Sequence, residues 1–139
     1  MDTQRCVHGD EYCGTFIIHE LLRSINHEAL TGTVIALPIL NITASLKHQR
    51  MSPYETMSHG DLNRCFPGKA GGSFSEQMAH AIYTHLKEHA DYLIDFHTAL
   101  TADVRWALYA DAEGEVGKKA EGVARAFGYN STLPAPTDI

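Results

Sequence analysis

His8 and Glu11 stand three residues apart in the stretch CVHGDEYCG. On a helical turn that spacing brings an imidazole and a carboxylate to one face, where a single ion would touch both. The pair suits zinc, and catalytic zinc sites commonly combine two His and one Glu with water in the fourth place. Alone it is a weak signal, because a surface His and Glu at a helix start is the more frequent case. His97, in DFHT at the end of the apolar run YLIDF, offers a third ligand. Ligand sites of α/β sheets lie at the carboxyl ends of strands. A buried histidine satisfied by the backbone is the competing reading of His97. Asp95 either orients such a ligand or caps the strand end.

A second group of polar residues lies in GDLNRCFPG, residues 60–68. Asn63 and Arg64 put a neutral amide beside a guanidinium, a pair suited to grasping a carboxylate by forked hydrogen bonds. Arg50, earlier in the same loop, would aim a further positive charge at an oxyanion near a metal. For Arg50 taken alone, a solvated or loop-bracing role is the stronger reading. His48 and His59 share that loop, and Cys65 follows Arg64 with nothing to mark it as a nucleophile.

The elements that must position these groups follow from periodicity. Phe16, Ile17, Leu21, Leu22 and Ile25 recur at helical spacing and predict a helix from Glu11 to about Asn26. TVIALPI, residues 33–39, reads as a buried strand. Residues 41–72 carry little periodicity and read as one long loop, which in a compact domain tends to be functional. A helix capped by Ser73 or Ser75 is expected to run to about His89, followed by strands at 92–96 and 105–110. A last helix over 115–127 stops at Gly128 before a Pro-rich tail, and Trp106 and Tyr109 are expected to pack on it. Strands alternating with helices predict an α/β sandwich in a single domain over residues 1–139.

The chain's 139 residues are enough for one ordinary domain. A net charge of -6 argues against nucleic acid as a partner, since phosphate binding wants a basic face. No apolar run approaches the roughly 20 residues that cross a bilayer, and the first residues lack the apolar stretch of a secretory signal. Cys6, Cys13 and Cys65 cannot all pair within one chain and match no zinc-ribbon or redox spacing. They read as reduced thiols in a cytoplasmic protein.

Taken in order, HGDE, then an arginine, then DLNRCFPG, then DFHT resembles the succinylglutamate desuccinylase/aspartoacylase family of the zinc carboxypeptidase superfamily. The likeness runs from His8 to about Thr98. It implies that His8, Glu11 and His97 are the ligands of one zinc ion per chain. It also implies that Asn63 and Arg64 hold a substrate carboxylate and that Arg50 polarises the scissile carbonyl. The family fold is a three-layer sandwich, a mixed and mostly parallel sheet flanked by helices. The implied reaction is hydrolysis of the amide of an N-acyl amino acid, or a similar small carboxylate substrate, by metal-activated water.

Two parts of that pattern are not found within the sequence. Only MDTQRCV precedes His8, where relatives carry a full strand, and the family's general-base glutamate is expected beyond Ile139. The chain therefore reads as truncated at both ends. Glu113, Glu115 and Glu121 read as a solvated helix start rather than as a substitute base. A missing strand would leave an open sheet edge that favours a homo-oligomer. The competing functions are a zinc carboxypeptidase acting on peptides and a non-catalytic zinc-binding remnant.

Overall fold

The computed structural model describes residues 7–98, 105–129 and 131–135. Its contacts divide the chain into two compact units, Met1–Leu100 and Thr101–Ile139.

The first unit is built around a turn. The Glu11 N–H donates to the His8 carbonyl (3.2 Å), so His8 and Glu11 share one face before any helix begins. Helix α1 (Cys13–Ser24) follows, starting two residues later than its periodicity predicts. Thr15 on α1 is fully buried and donates to the Pro38 carbonyl (2.7 Å), tying the helix to the run 33–39. The expected long loop at 41–72 instead contains a short helix α2 (Ile42–Leu46) and a 3₁₀ turn (Leu62–Arg64). Both were hidden because they are too short to show a period; each is started by a side-chain cap. Asn41 Oδ1 accepts from the Ala44 N–H, and the Asp61 carboxylate accepts from the Asn63 N–H.

Helix α3 (Phe74–His89) agrees with its predicted span. Ser73 is its cap. The Ser73 hydroxyl accepts from the Glu76 N–H (3.3 Å), while the Ser73 N–H donates to the Glu76 carboxylate (2.7 Å). Val7, Leu62 and Ala79 form the core of this unit, with Leu40, Cys65, Phe66, Met78 and Ile82 packed against them. The core therefore joins the residue before His8 to the 3₁₀ turn and to α3.

Two glycines are dictated by close approach. A Cβ on Gly9 would lie 2.2 Å from the Ala44 carbonyl carbon, so the turn between His8 and Glu11 can rest on α2 only as glycine. Gly68 has φ +82° and lies against α3, where a Cβ would come within 2.1 Å of the His80 nitrogen.

The predicted strands at 33–39 and 92–96 are corrected. Neither carries a ladder, and the sheet among the described residues is β1–β2 alone. A strand exists through its neighbour, and apolar, β-branched sequence cannot supply one. Val34 is 44% exposed and Leu93 67% exposed, where burial between layers was expected. The expectation that residues 2–5 make a poor strand falls outside the described residues.

The second unit is a βαβ unit: β1 (Trp106–Ala110), α4 (Gly114–Ala126) and β2 (Ser131–Ala135). The strands are parallel, with Trp106 opposite Ser131 and Ala110 opposite Ala135. The tail after Gly128 thus enters a strand, with Pro134 opposite Tyr109, where the sequence reads as irregular. Trp106 is half exposed rather than packed. Glu115 pairs with Lys118 and Glu121 with Arg125 on the surface of α4, as expected of a solvated helix.

Removing the α3 cap tests this architecture. Ser73→Ala should lower stability by about 1 kcal/mol, read from the midpoint of chemical denaturation, with the slope unchanged. Glu76→Gln keeps an acceptor for the Ser73 N–H and should cost less.

Candidate metal centre

His8 is buried to 1% exposure and Glu11 to 5%, with His97 opening to solvent. The Glu11 carboxylate lies between the two rings. One oxygen is 2.7 Å from His8 Nδ1, and the other is 3.1 Å from His97 Nδ1. That second oxygen also accepts the Thr98 N–H (2.8 Å), which locks the segment bearing His97 onto the turn bearing Glu11, 87 residues earlier. The rings of His8 and His97 are 4.9 Å apart at 59°.

Each imidazole is held from behind. His8 Nε2 is 3.2 Å from Asp61 Oδ1, and His97 Nε2 is 2.9 Å from Asp95 Oδ2. A carboxylate behind a histidine fixes which ring nitrogen carries the proton and turns the other toward the ligand position. Of the two roles open to Asp95 in the sequence, the ring contact is the one seen. Asp61 was missed by sequence reasoning, although it lies inside DLNR. Its only signal was position: it precedes a pair already suspected, but its partner is 53 residues away.

Arg50 belongs to the same cluster. Its guanidinium donates to Asp61 Oδ2 (3.1 Å) and to Glu11 Oε1 (3.3 Å). The Asp61 contact braces the loop, as one reading of Arg50 expects, and the Glu11 contact reaches beyond it to the cluster. Asn63 and Arg64 are not drawn in. Arg64 is exposed and donates to the Asn63 carbonyl, and the Asn63 backbone bonds to Asp61. They occupy the 3₁₀ turn that opens at Asp61, next to the cluster. His59 turns instead to Ser58 (2.9 Å). Burial first, then the charges of Glu55, Glu76 and Asp61, push the Cys65 thiol up, which opposes any nucleophilic role.

The electrostatics follow from this crowding. Burial would raise the Glu11 pKa, but the hydrogen bonds from His8, His97 and the Thr98 N–H outweigh it and hold the carboxyl far below its usual range. Burial also opposes ionisation of Asp61, and the Arg50 and His8 charges override it downward. Hydrogen bonds to Asp95 and Glu11 raise His97 to about 10 despite burial. The same contacts favour the protonated His97 ring at neutral pH, beside carboxylates that attract a cation.

Among the described residues, His8, Glu11 and His97 form the one group of three whose ligand atoms all lie within 4.8 Å of one another. Ligands at about 2.0–2.1 Å around a tetrahedral ion would sit roughly 3.3 Å apart, and the two contacts from Glu11 to the imidazoles, 2.7 and 3.1 Å, are of that order. With neutral imidazoles, the carboxylates of Glu11, Asp61 and Asp95 against the Arg50 guanidinium leave two negative charges. The donor set and its charge fit a divalent zinc ion.

Two consequences can be measured. Binding zinc must displace the His97 proton, so uptake at pH 7 should release protons and tighten as pH rises; calorimetry in buffers of different ionisation enthalpy reads this directly. Asp61→Ala and Asp95→Ala should each weaken zinc affinity by about 10- to 100-fold while leaving the helical signal in place.

Known proteins resemble this chain in sequence and fold. The family profile described as the Succinylglutamate desuccinylase/Aspartoacylase catalytic domain matches residues 5–133. An N-alpha-acetyl-L-2,4-diaminobutyric acid deacetylase from Halomonas elongata is 34% identical over 124 residues, covering 87% of this chain and 35% of that protein. The solved succinylglutamate desuccinylase from Silicibacter sp. superimposes with a TM-score of 0.78 at 29% identity, over 94% of this chain and 40% of its own. The product-bound ectoine utilization protein EutE (DoeB) from Ruegeria pomeroyi gives 0.75 at 30% identity over the same shares, 94% and 40%. A succinylglutamate desuccinylase/aspartoacylase from Rhodobacter sphaeroides is 41% identical with a TM-score of 0.60, over 68% of this chain and 28% of its own. The chain thus spans about a third of the length of these relatives. With the profile covering nearly all of it, the chain belongs to the succinylglutamate desuccinylase/aspartoacylase family.

Proposed function

We propose that this chain carries the zinc-binding part of a deacylase that hydrolyses the amide of an N-acyl amino acid. The observation that carries the reading is the shared Glu11 carboxylate, which gathers His8, His97 and Arg50 at one point. The deacetylase and desuccinylase names of the relatives support an N-acyl amino acid as the substrate class.

In this reading His8, Glu11 and His97 hold zinc, which supplies polarisation of the amide carbonyl and activation of water. Arg50, already bonded to two carboxylates, keeps a fixed positive charge beside the ligands. It stabilises negative charge growing on the carbonyl oxygen without reorganising at the moment of reaction. Asn63 and Arg64 take the substrate's free carboxylate from the 3₁₀ turn, and the exposed position of Arg64 leaves its head within reach of solvent and ligand. Asp61 and Asp95 keep both imidazoles facing inward. The same reading expects a three-layer sandwich for the family fold, supported by the likeness to the solved relatives. A cytoplasmic setting is supported by the free thiols of Cys13 and Cys65. No helix of the described residues is long and apolar enough to cross a membrane.

Two substitutions separate holding metal from using it. Protein purified without added metal should contain near-stoichiometric zinc, by elemental analysis, and His97→Ala should lose it. Zinc content unchanged in that variant would sink the three-ligand site. Arg50→Ala should keep its zinc and lose about 10²- to 10³-fold in kcat toward N-acetyl amino acids, if one preorganised donor is removed. A loss confined to KM would instead make Arg50 a binding group.

A further inference from the structure

We propose a second transition-metal site, separate from the first, formed by His85 and His89 on the solvent face of α3. The two are one helical turn apart, the spacing that puts neighbouring side chains on one face. Their rings lie 4.6 Å apart at 62°. The His8–His97 pair, which the first site uses as two ligands, has 4.9 Å and 59°. The two pairs share a similar ring separation, the buried one tilted and the surface one edge-on.

The spacing agrees with chelation. An imidazole nitrogen binds such an ion at about 2.0–2.1 Å, which puts the ring centre roughly 3.2 Å from the metal. Two rings at ligand angles of about 90° to 110° then have centres roughly 4.5–5.2 Å apart. The observed distance falls within that interval, so the two rings are close enough to share one ion.

The surroundings favour a cation. His89 is in the last turn of α3, where the helix's carbonyl ends concentrate negative charge. The Glu88 carboxylate is 3.9 Å from His89 Nε2. Lys87 is in the same turn, but it is two positions from each histidine and so points to the other side of the helix. Both histidines are exposed, which leaves the remaining coordination positions to water. Borderline divalent ions that take imidazole, zinc, nickel and above all copper, fit this donor pair. With two protein ligands rather than three, and no carboxylate between the rings, the site is weaker than the first.

The test is equilibrium dialysis against zinc alone, with metal per chain counted by elemental analysis for the parent, His85→Gln, His89→Gln and His97→Ala. Glutamine is a good helix former, and circular dichroism checks that α3 persists. The expected result is one tight and one weaker ion in the parent, the weaker one lost in both glutamine variants and kept in His97→Ala. Isotherms of either glutamine variant that superimpose on the parent would overturn the proposal, as would loss in one variant but not the other. If His97→Ala leaves zinc content unchanged while His89→Gln lowers it, the deacylase reading falls and this one stands.

Discussion

The structure of the first unit depends on one carboxylate. Glu11 is nearly buried, yet it stays ionised because four donors converge on it: His8, His97, the Thr98 N–H and Arg50. A buried carboxylate without such partners would be protonated or would unfold its surroundings. Here it ties residues 8–11, 50 and 97–98 together. The cost of burying the charge is offset only while all of these segments are in place. The site and the fold are therefore coupled.

Around that centre, charge is arranged in alternation. Carboxylates back both histidines, and a guanidinium bridges Glu11 to Asp61. A proton on His97, favoured by its bonds to Asp95 and Glu11, offsets part of the negative charge. The arrangement favours an ion of higher charge in place of that proton. This is preorganisation in its simplest form: the energy needed to gather like charges is spent when the chain folds, before any ligand arrives.

The packing explains why the motif has its particular form. Gly9 is required because the turn lies on the α2 backbone, and α2 is held there by the buried cap Asn41. Leu62 anchors the 3₁₀ turn in the core, which holds Asp61 at His8 on one side and presents Asn63 and Arg64 on the other. The residues between the polar groups of HGDE and DLNR are thus as constrained as the polar groups themselves.

The sequence by itself determined the local features. α1 and α3 were legible because an amphipathic period and the Ser73–Glu76 box act within a few residues. His8, Glu11 and His97 were legible as a candidate metal-binding group from their residue types and the order of the motifs that carry them. Only the tertiary structure decided which distant groups meet. Asp61 behind His8, Arg50 on Glu11 and the Thr98 N–H on the same carboxylate are contacts across 39 to 87 residues, and no period or cap encodes them. It also decided against strands at 33–39 and 92–96 and in favour of one at 131–135. Strand propensity is a property of single residues, but a strand is a property of a pair, and the pair is made only when the chain folds.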